Sequence, residues 1–201
     1  EGRPMLRRLL LLAAVVWNIG LLVYFKYTNF LLENINFLFK TDLPLLSTIL
    51  PIGISFFTFQ AMSYVLDVNR GRGQVQRSPL KVGLYISFFP QLIAGPIVKY
   101  ETVAAEIDGR RENWEDFSAG LCRFAVGLGK KVLIANQIAI IADRAFGMAP
   151  EQLSAGFAWL GSICYTLQVY YDFSGYSDMA IGMGRMFGFH FLENFNYPLI
   201  S

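Results

Sequence analysis

Four stretches of the chain carry no charged residue: Leu9–Phe25 (17 residues), Leu43–Leu66 (24), Val82–Val98 (17) and Gln152–Tyr171 (20). A helix needs roughly 17–25 predominantly apolar residues to cross the hydrocarbon core, so each is a candidate span. The middle two are interrupted, by Pro44, Pro51 and Gly53 in one and by Pro90, Gly95 and Pro96 in the other. Proline removes a backbone donor and breaks or kinks a helix. In lipid such breaks persist only where protein or a wet cavity satisfies the freed carbonyls. Val82–Val98 is therefore expected to be a re-entrant or kinked segment, with Gln91 a candidate lining residue; a proline-kinked structural helix is the plainer reading. Between the first two runs, "YTNFLLENINFLFK" alternates aromatics with Asn and Glu33. It reads as an interfacial helix or a loop.

The charged stretches divide by sign. Asp67–Lys81 holds Arg70, Arg72, Arg77 and Lys81 against one acid, and the positive-inside rule places it on the cytoplasmic side. Lys99–Asp116 is mixed, with six acids and three bases, and predicts short amphipathic surface helices or a solvated linker. Within Phe117–Ala142, Arg123, Lys130 and Gln137 recur every seven residues and form one helical stripe, with Lys131 beside it. Two readings stand together: long cations reaching the interface, or a basic wall of Arg123, Lys130 and Lys131 for an anionic donor. "GLGKK" lacks the spacing of a phosphate-binding P-loop.

Composition agrees with a membrane protein. Of 201 residues, 54% are hydrophobic and 16% charged, and mean hydropathy is +0.42. Soluble domains carry about 25% charged residues. The net charge of +2 gives no reason to invoke nucleic acid. Cys122 and Cys164 lie in apolar surroundings without metal spacing and are expected to be small core residues. "MLRRLLLLAAVVWNIGLLVYF" has the basic start of a signal peptide but no small-x-small cleavage site after it. It reads as a retained helix, not the first of the native protein.

The polar residues next to the fourth run are the candidate chemistry. On one helix Ser174, Ser177 and Asp178 share a face, and Asp172 and Tyr176 share another. The two carboxylates are six apart, about 240° around the helix, so they are not a facing acid–base pair. A mid-membrane carboxylate costs about 2.5–3.5 kcal/mol on insertion scales. A polar cavity lined by Tyr171, Asp172, Ser174, Tyr176, Ser177 and Asp178 would offset that; two acids at a wet helix mouth are the alternative. His190, the single histidine, stands between Phe189 and Phe191 with no triad partner in sequence, and reads as an interfacial residue rather than a base. No metal-ligand spacing is present, and "GMGRMFG" lacks a dinucleotide fingerprint.

Four motifs in order, "LPIGISFFTFQAMSYVLDVNRG", "LYISFFPQLIAGPIVKYE", "GLGKKVLIA" and "YYDFSGYSDMAIGMGRMFGFHFLENFNYPLIS", resemble the membrane-bound O-acyltransferase (MBOAT) family. They are most similar to its bacterial branch acting on alginate and related exopolysaccharides. The resemblance implies an all-α, multi-pass inner-membrane enzyme with broken or re-entrant helices. It would move acetyl from a cytoplasmic donor, acetyl-CoA, through a tunnel to a polysaccharide hydroxyl or a periplasmic acetyl-accepting protein. The family's catalytic histidine lies in a Trp-Arg-Arg-Trp-His type motif shortly after "ENFNYP", which these 201 residues do not contain. Residues 1–201 are accordingly expected to be one membrane-embedded region, internal to a longer domain, inactive alone and without a bound cofactor. A transporter or a non-catalytic scaffold for periplasmic partners are the rival classes; no inverted repeat supports the first.

Overall fold

The computed structural model describes residues 4–71, 74–91 and 99–196. Among them the regular structure is helical, with no strand: α1 (Pro4–Lys26), α2 (Thr28–Phe39), α3 (Ile54–Asn69), α4 (Pro79–Ser87), α5 (Tyr100–Gly109), α6 (Trp114–Gly129), α7 (Asn136–Phe146) and α8 (Ala155–Met186). A π turn, Lys130–Ala135, joins α6 to α7 in one continuous rod. The fold is all-α, as expected, in seven helical rods among the described residues. Two helices are long and apolar enough to cross a membrane by length and composition: Met5–Lys26 and Trp114–Phe146.

Contacts divide the chain into two compact units, Glu1–Phe88 with Lys99–Glu101, and Phe89–Val98 with Thr102–Ser201. In the first, α3 packs on α1. The outer surface of α1 stays apolar and uncovered, with Leu10, Val16 and Trp17 all more than half exposed. An apolar face of that extent marks a surface made for lipid or protein.

The second charge-free run does not form one span. Residues 41–51 hold no helix, and α3 begins only at Ile54, after Gly53 adopts φ +77°. The exposed backbone of this broken stretch is satisfied by α2. Asn29 and Asn36, seven apart on that helix, each clasp one loop residue in both directions. The Asn29 amide donates to the Leu46 carbonyl at 2.9 Å and its oxygen accepts from the Leu46 N–H at 2.9 Å. Asn36 treats Leu43 alike, at 3.0 and 2.9 Å. Asn29 and Asn36 of "YTNFLLENINFLFK" thus have a specific task, and that segment is a helix rather than a loop.

The third run is also short of a span. Helix α4 ends at Ser87, Phe88 is extended, and a single 3-10 turn covers Phe89–Gln91. The Gln91 side chain and residues 92–98, including Gly95 and Pro96, lie outside the described residues.

The second unit is built on α8, a 32-residue helix lying against α6, the π turn and α7. Side-chain caps set both long helices going: Asn113 accepts from the Asp116 N–H at 2.7 Å, and Ser154 from the Phe157 N–H at 3.3 Å. Helix α8 stops at Gly188, whose φ of +76° suits glycine alone without strain. The Phe189 N–H then bonds the Gly184 carbonyl, and the Gly188 N–H that of Arg185.

Small residues let the rods approach. Gly120, Gly127, Ala135 and Ala142 are all buried along the α6–α7 rod, at steps of seven, eight and seven. The step of eight falls across the π turn, whose extra residue shows in the Asn136 N–H bonding back to Lys131. Opposite them, Gly182, Gly175 and Gly161 lie on one seven-residue line of α8 and are buried. Cys164 is buried on the same helix, but Cys122 is exposed on α6, so only one cysteine is a core residue; both are free thiols. The α6 segment turns outward there because its inward line is set by Gly120 and Gly127.

Candidate functional site

The close approach of α6 and α8 brings three cations against three acids. Asp178 receives Arg123 through Nε at 3.1 Å and Nη2 at 2.8 Å, and Lys130 through Nζ at 2.6 Å. Arg123 also makes a two-pronged bond with both carboxylate oxygens of Glu193, and Lys131 pairs with Asp172. Asp178 is the least accessible member, its side chain 16% exposed. Lys131 and Asp172 are about 40% exposed.

The geometry follows from the helix count. Gly175 lies three residues from Asp172 and three from Asp178, so the two acids flank the glycine contact on either side of α8. They do not face each other, in line with the 240° spacing. Lys130 and Lys131, adjacent in the π turn, divide between them. The insertion cost of each carboxylate is offset here by paired cations, most strongly at the least accessible acid, Asp178, and least at the half-exposed Lys131–Asp172 pair. The partners that face both acids are these cations.

Arg123 and Lys130, one helical stripe by spacing, converge on one carboxylate. Gln137, seven further on, is exposed beyond the π turn. The three donor-binding candidates are thus all engaged by acids, and the set is neutral: three positive against three negative. Arg123 holds the Glu193 carboxyl below the usual glutamate range, chiefly by its hydrogen bonds.

The other candidates are placed differently. Ser174 and Ser177 are buried at 2% exposure, and neither hydroxyl has a partner among the described residues. Tyr171 is half-buried, its ring edge-to-face with Tyr170 at 5.3 Å, and Tyr176 is half-buried. Tyr170 in turn meets Phe195 at 5.8 Å. Phe195 and Glu193 together hold the segment after α8 back along that helix.

His190 is exposed and bracketed by acids. Its backbone N–H donates to one oxygen of Glu106 at 3.0 Å, and Nδ1 lies 3.0 Å from the other. Nε2 is 3.6 Å from Asp116, which accepts from Arg185 Nε at 2.7 Å. A general base needs a lone pair turned to the substrate. Both ring nitrogens here face carboxylates instead. No group of three or more His, Cys, Asp and Glu is arranged for a metal among the described residues.

Glu193, Glu106 and Asp116 were not singled out from sequence, nor were Gly120, Gly127 and Gly182 of the crossing; Gly175 read from sequence as a point where the helix could loosen, and α8 runs unbroken through it. The signal for the glycines was present: Gly120 and Gly127 repeat at the same interval as Arg123 and Lys130, and Gly175 and Gly182 repeat at it again.

Residues 75–199 match the family described as MBOAT, membrane-bound O-acyltransferase. The "Probable alginate O-acetylase AlgI" of Pseudomonas syringae pv. tomato is 43% identical over 195 residues, which is 95% of this chain and 37% of that protein. The "Peptidoglycan O-acetyltransferase" of Helicobacter pylori is 37% identical over 220 residues, 96% of this chain and 41% of that protein. The "Teichoic acid D-alanyltransferase" of Bacillus subtilis is 26% identical over 157 residues, 75% of this chain and 38% of that protein. The chain spans about two fifths of the length of these curated relatives.

Proposed function

The chain belongs to the membrane-bound O-acyltransferase family, and on that premise we propose that it is part of a membrane enzyme that O-acetylates a polysaccharide. The donor is cytoplasmic acetyl-CoA, and the acceptor hydroxyl lies across the inner membrane, on a polysaccharide or on a periplasmic protein that relays the acetyl group. The observation that carries this reading is the 43% identity, over 95% of the chain, to a protein described as an alginate O-acetylase. The D-alanyltransferase match at 26% favours acetyl over D-alanyl transfer by contrast.

In this reading the base that deprotonates the acceptor hydroxyl is a histidine outside residues 1–201. The α6–α8 pair supplies a rigid charged wall. Arg123, Lys130 and Lys131 reach an anionic donor only at their partly exposed edges, because each is already held by a carboxylate. Ser174 and Ser177, buried with hydroxyls that have no partner among the described residues, are placed to donate to an acyl or hydroxyl oxygen passing along α8.

The test is transfer of labelled acetyl from acetyl-CoA to polysaccharide by membranes holding the longer protein. Label should appear in the polymer and vanish when the histidine outside these residues is replaced. Solute flux without acetylation would make the protein a transporter, and acetyl transfer by residues 1–201 alone would overturn the placement of the base.

A further inference from the structure

Gln76, in the non-helical stretch 74–78 that ends in extended Ser78, is fixed by three hydrogen bonds. Its backbone N–H donates to the Tyr64 hydroxyl at 3.0 Å, its side-chain amide donates to the Tyr100 hydroxyl at 3.1 Å, and its side-chain oxygen accepts from the Ser78 N–H at 3.1 Å. Behind it Tyr64, Tyr85 and Tyr100 pack edge to face, with Tyr64–Tyr100 centroids at 4.8 Å and Tyr85–Tyr100 at 5.2 Å. Tyr85 and Tyr100 are 2% and 3% exposed, so the anchor is a closed core rather than a pocket.

Alternate residues of an extended segment point to opposite sides. With Gln76 turned inward, Val75 and Arg77 are turned outward: Val75 is 67% exposed and Arg77 is exposed. Helix α4 continues the surface, with Leu80 83% exposed and Leu84 exposed one turn on. Arg70 is exposed at the end of α3. No acid occurs in sequence between Asp67 and Glu101, so the loop's own charges are all positive.

We propose that this loop, with Arg70, Val75, Arg77 and Leu80 as its contact residues, is a docking surface for anionic phospholipid headgroups. Cations interleaved with exposed aliphatic side chains fit an interface that offers phosphates and, just below them, acyl chains. An acidic soluble partner would match the arginines but leave Val75, Leu80 and Leu84 uncompensated. The protein is in a membrane, so a charged bilayer surface is always within reach. The tyrosine anchor holds the loop in its docking form beforehand, so less ordering entropy is lost on contact.

The test is amide hydrogen exchange over residues 74–84, with the protein in nanodiscs of phosphatidylcholine alone or with phosphatidylglycerol added. Exchange should be slower in the anionic discs, and salt that shortens the Debye length should reverse the slowing. Arg70→Gln and Arg77→Gln should each weaken the effect about five-fold. Leu80→Ser should weaken it in both discs. Gln76→Ala, which keeps every charge but frees the loop, should weaken it as well. An unchanged thermal midpoint in the arginine and leucine variants, all at exposed positions, shows that folding is intact. Equal exchange in the two discs that ignores Arg77→Gln overturns the proposal. So does slowing that appears only on addition of an acidic protein.

Discussion

The carbonyl oxygen of Gly127 stands 2.8 Å from the point where a Cβ on Gly175 would lie. A β-carbon on Gly127 would itself meet the Gly175 carbonyl oxygen at 2.5 Å and the Met179 backbone nitrogen at 2.8 Å. Both neighbours are main chain and cannot turn aside. The α6–α8 ion pairs depend on this approach, because Lys130 and Lys131 start within one turn of it.

Gly127→Ala should therefore lower stability by about 1–3 kcal/mol, the usual cost of overpacking. Gly129→Ala is the control: nothing lies within 4 Å of its added carbon. That change should be neutral or stabilising by up to about 1 kcal/mol through helix propensity. Thermal unfolding in one detergent, read on both variants, checks the pair, and equal losses would mean the helices are not in contact as described.

Removing Asp178 should cost more than removing Asp172. Asp178→Asn leaves Arg123 and Lys130 facing each other without their shared acid, and a loss of about 2 kcal/mol is expected, between surface and buried pairs. Asp172→Asn releases one half-exposed lysine and should cost about 1 kcal/mol or less. A double-mutant cycle of Asp178→Asn with Lys130→Gln should show coupling. Additive losses would mean that Lys130 does not depend on this acid.

Acid should free the segment after α8. The Glu193 carboxyl has a lowered folded-state pKa, so its bond to Arg123 contributes above the unfolded value and is lost as pH falls through the folded one. The window lies below about 4.3, the ordinary glutamate value. Since the side chain is half exposed, screening keeps the effect within about 1 kcal/mol. Protection factors of residues 190–196, taken relative to the intrinsic exchange rate at each pH, should fall on acidification in the native protein, and in Glu193→Gln they should be low at neutral pH already. A segment equally protected in both would place its anchor elsewhere, at Phe195 on Tyr170.

His190→Gln in the longer protein should leave acetyl transfer near the native level. Loss of a general base costs about 10²–10⁴-fold, and a fall of that size, with expression unchanged, would put His190 in the chemistry despite Glu106 and Asp116. A modest loss of thermal stability without loss of turnover is the expected outcome, because Glu106 also holds the His190 backbone.

The helices of the first and fourth charge-free runs and the charged stripe were legible in sequence, because run length and the interval from Arg123 to Lys130 are local. So was the separation of Asp172 from Asp178, a matter of counting around one helix. What answers those acids was not legible. Arg123 is 55 residues from Asp178, and no local pattern says which stretch lies opposite. The prolines announced that Leu43–Leu66 breaks, but not that Asn29 and Asn36 would serve the broken backbone. Glu193 drew no attention because its partner Arg123 lies 70 residues away on α6. The π turn escaped for a further reason: the heptad from Lys130 to Gln137 presumes an unbroken 3.6-residue helix, and the turn between them is wider.

Counted along the α6–α7 rod, the contact line to α8 runs seven, eight, seven, while α8 itself counts only in sevens. The rod behaves as two rulers joined with one mark of offset. Deleting one residue within Lys130–Ala135 would close the wide turn into an ordinary helix and shorten the eight-residue step to seven, leaving Ala142 on the contact line. The same deletion within Trp114–Gly129 would turn everything after it by about 100° against α8. The wide turn is where the rod can absorb a change of length: substitutions at outward Val132 or Leu133 should pass, and so should the loss of one residue there.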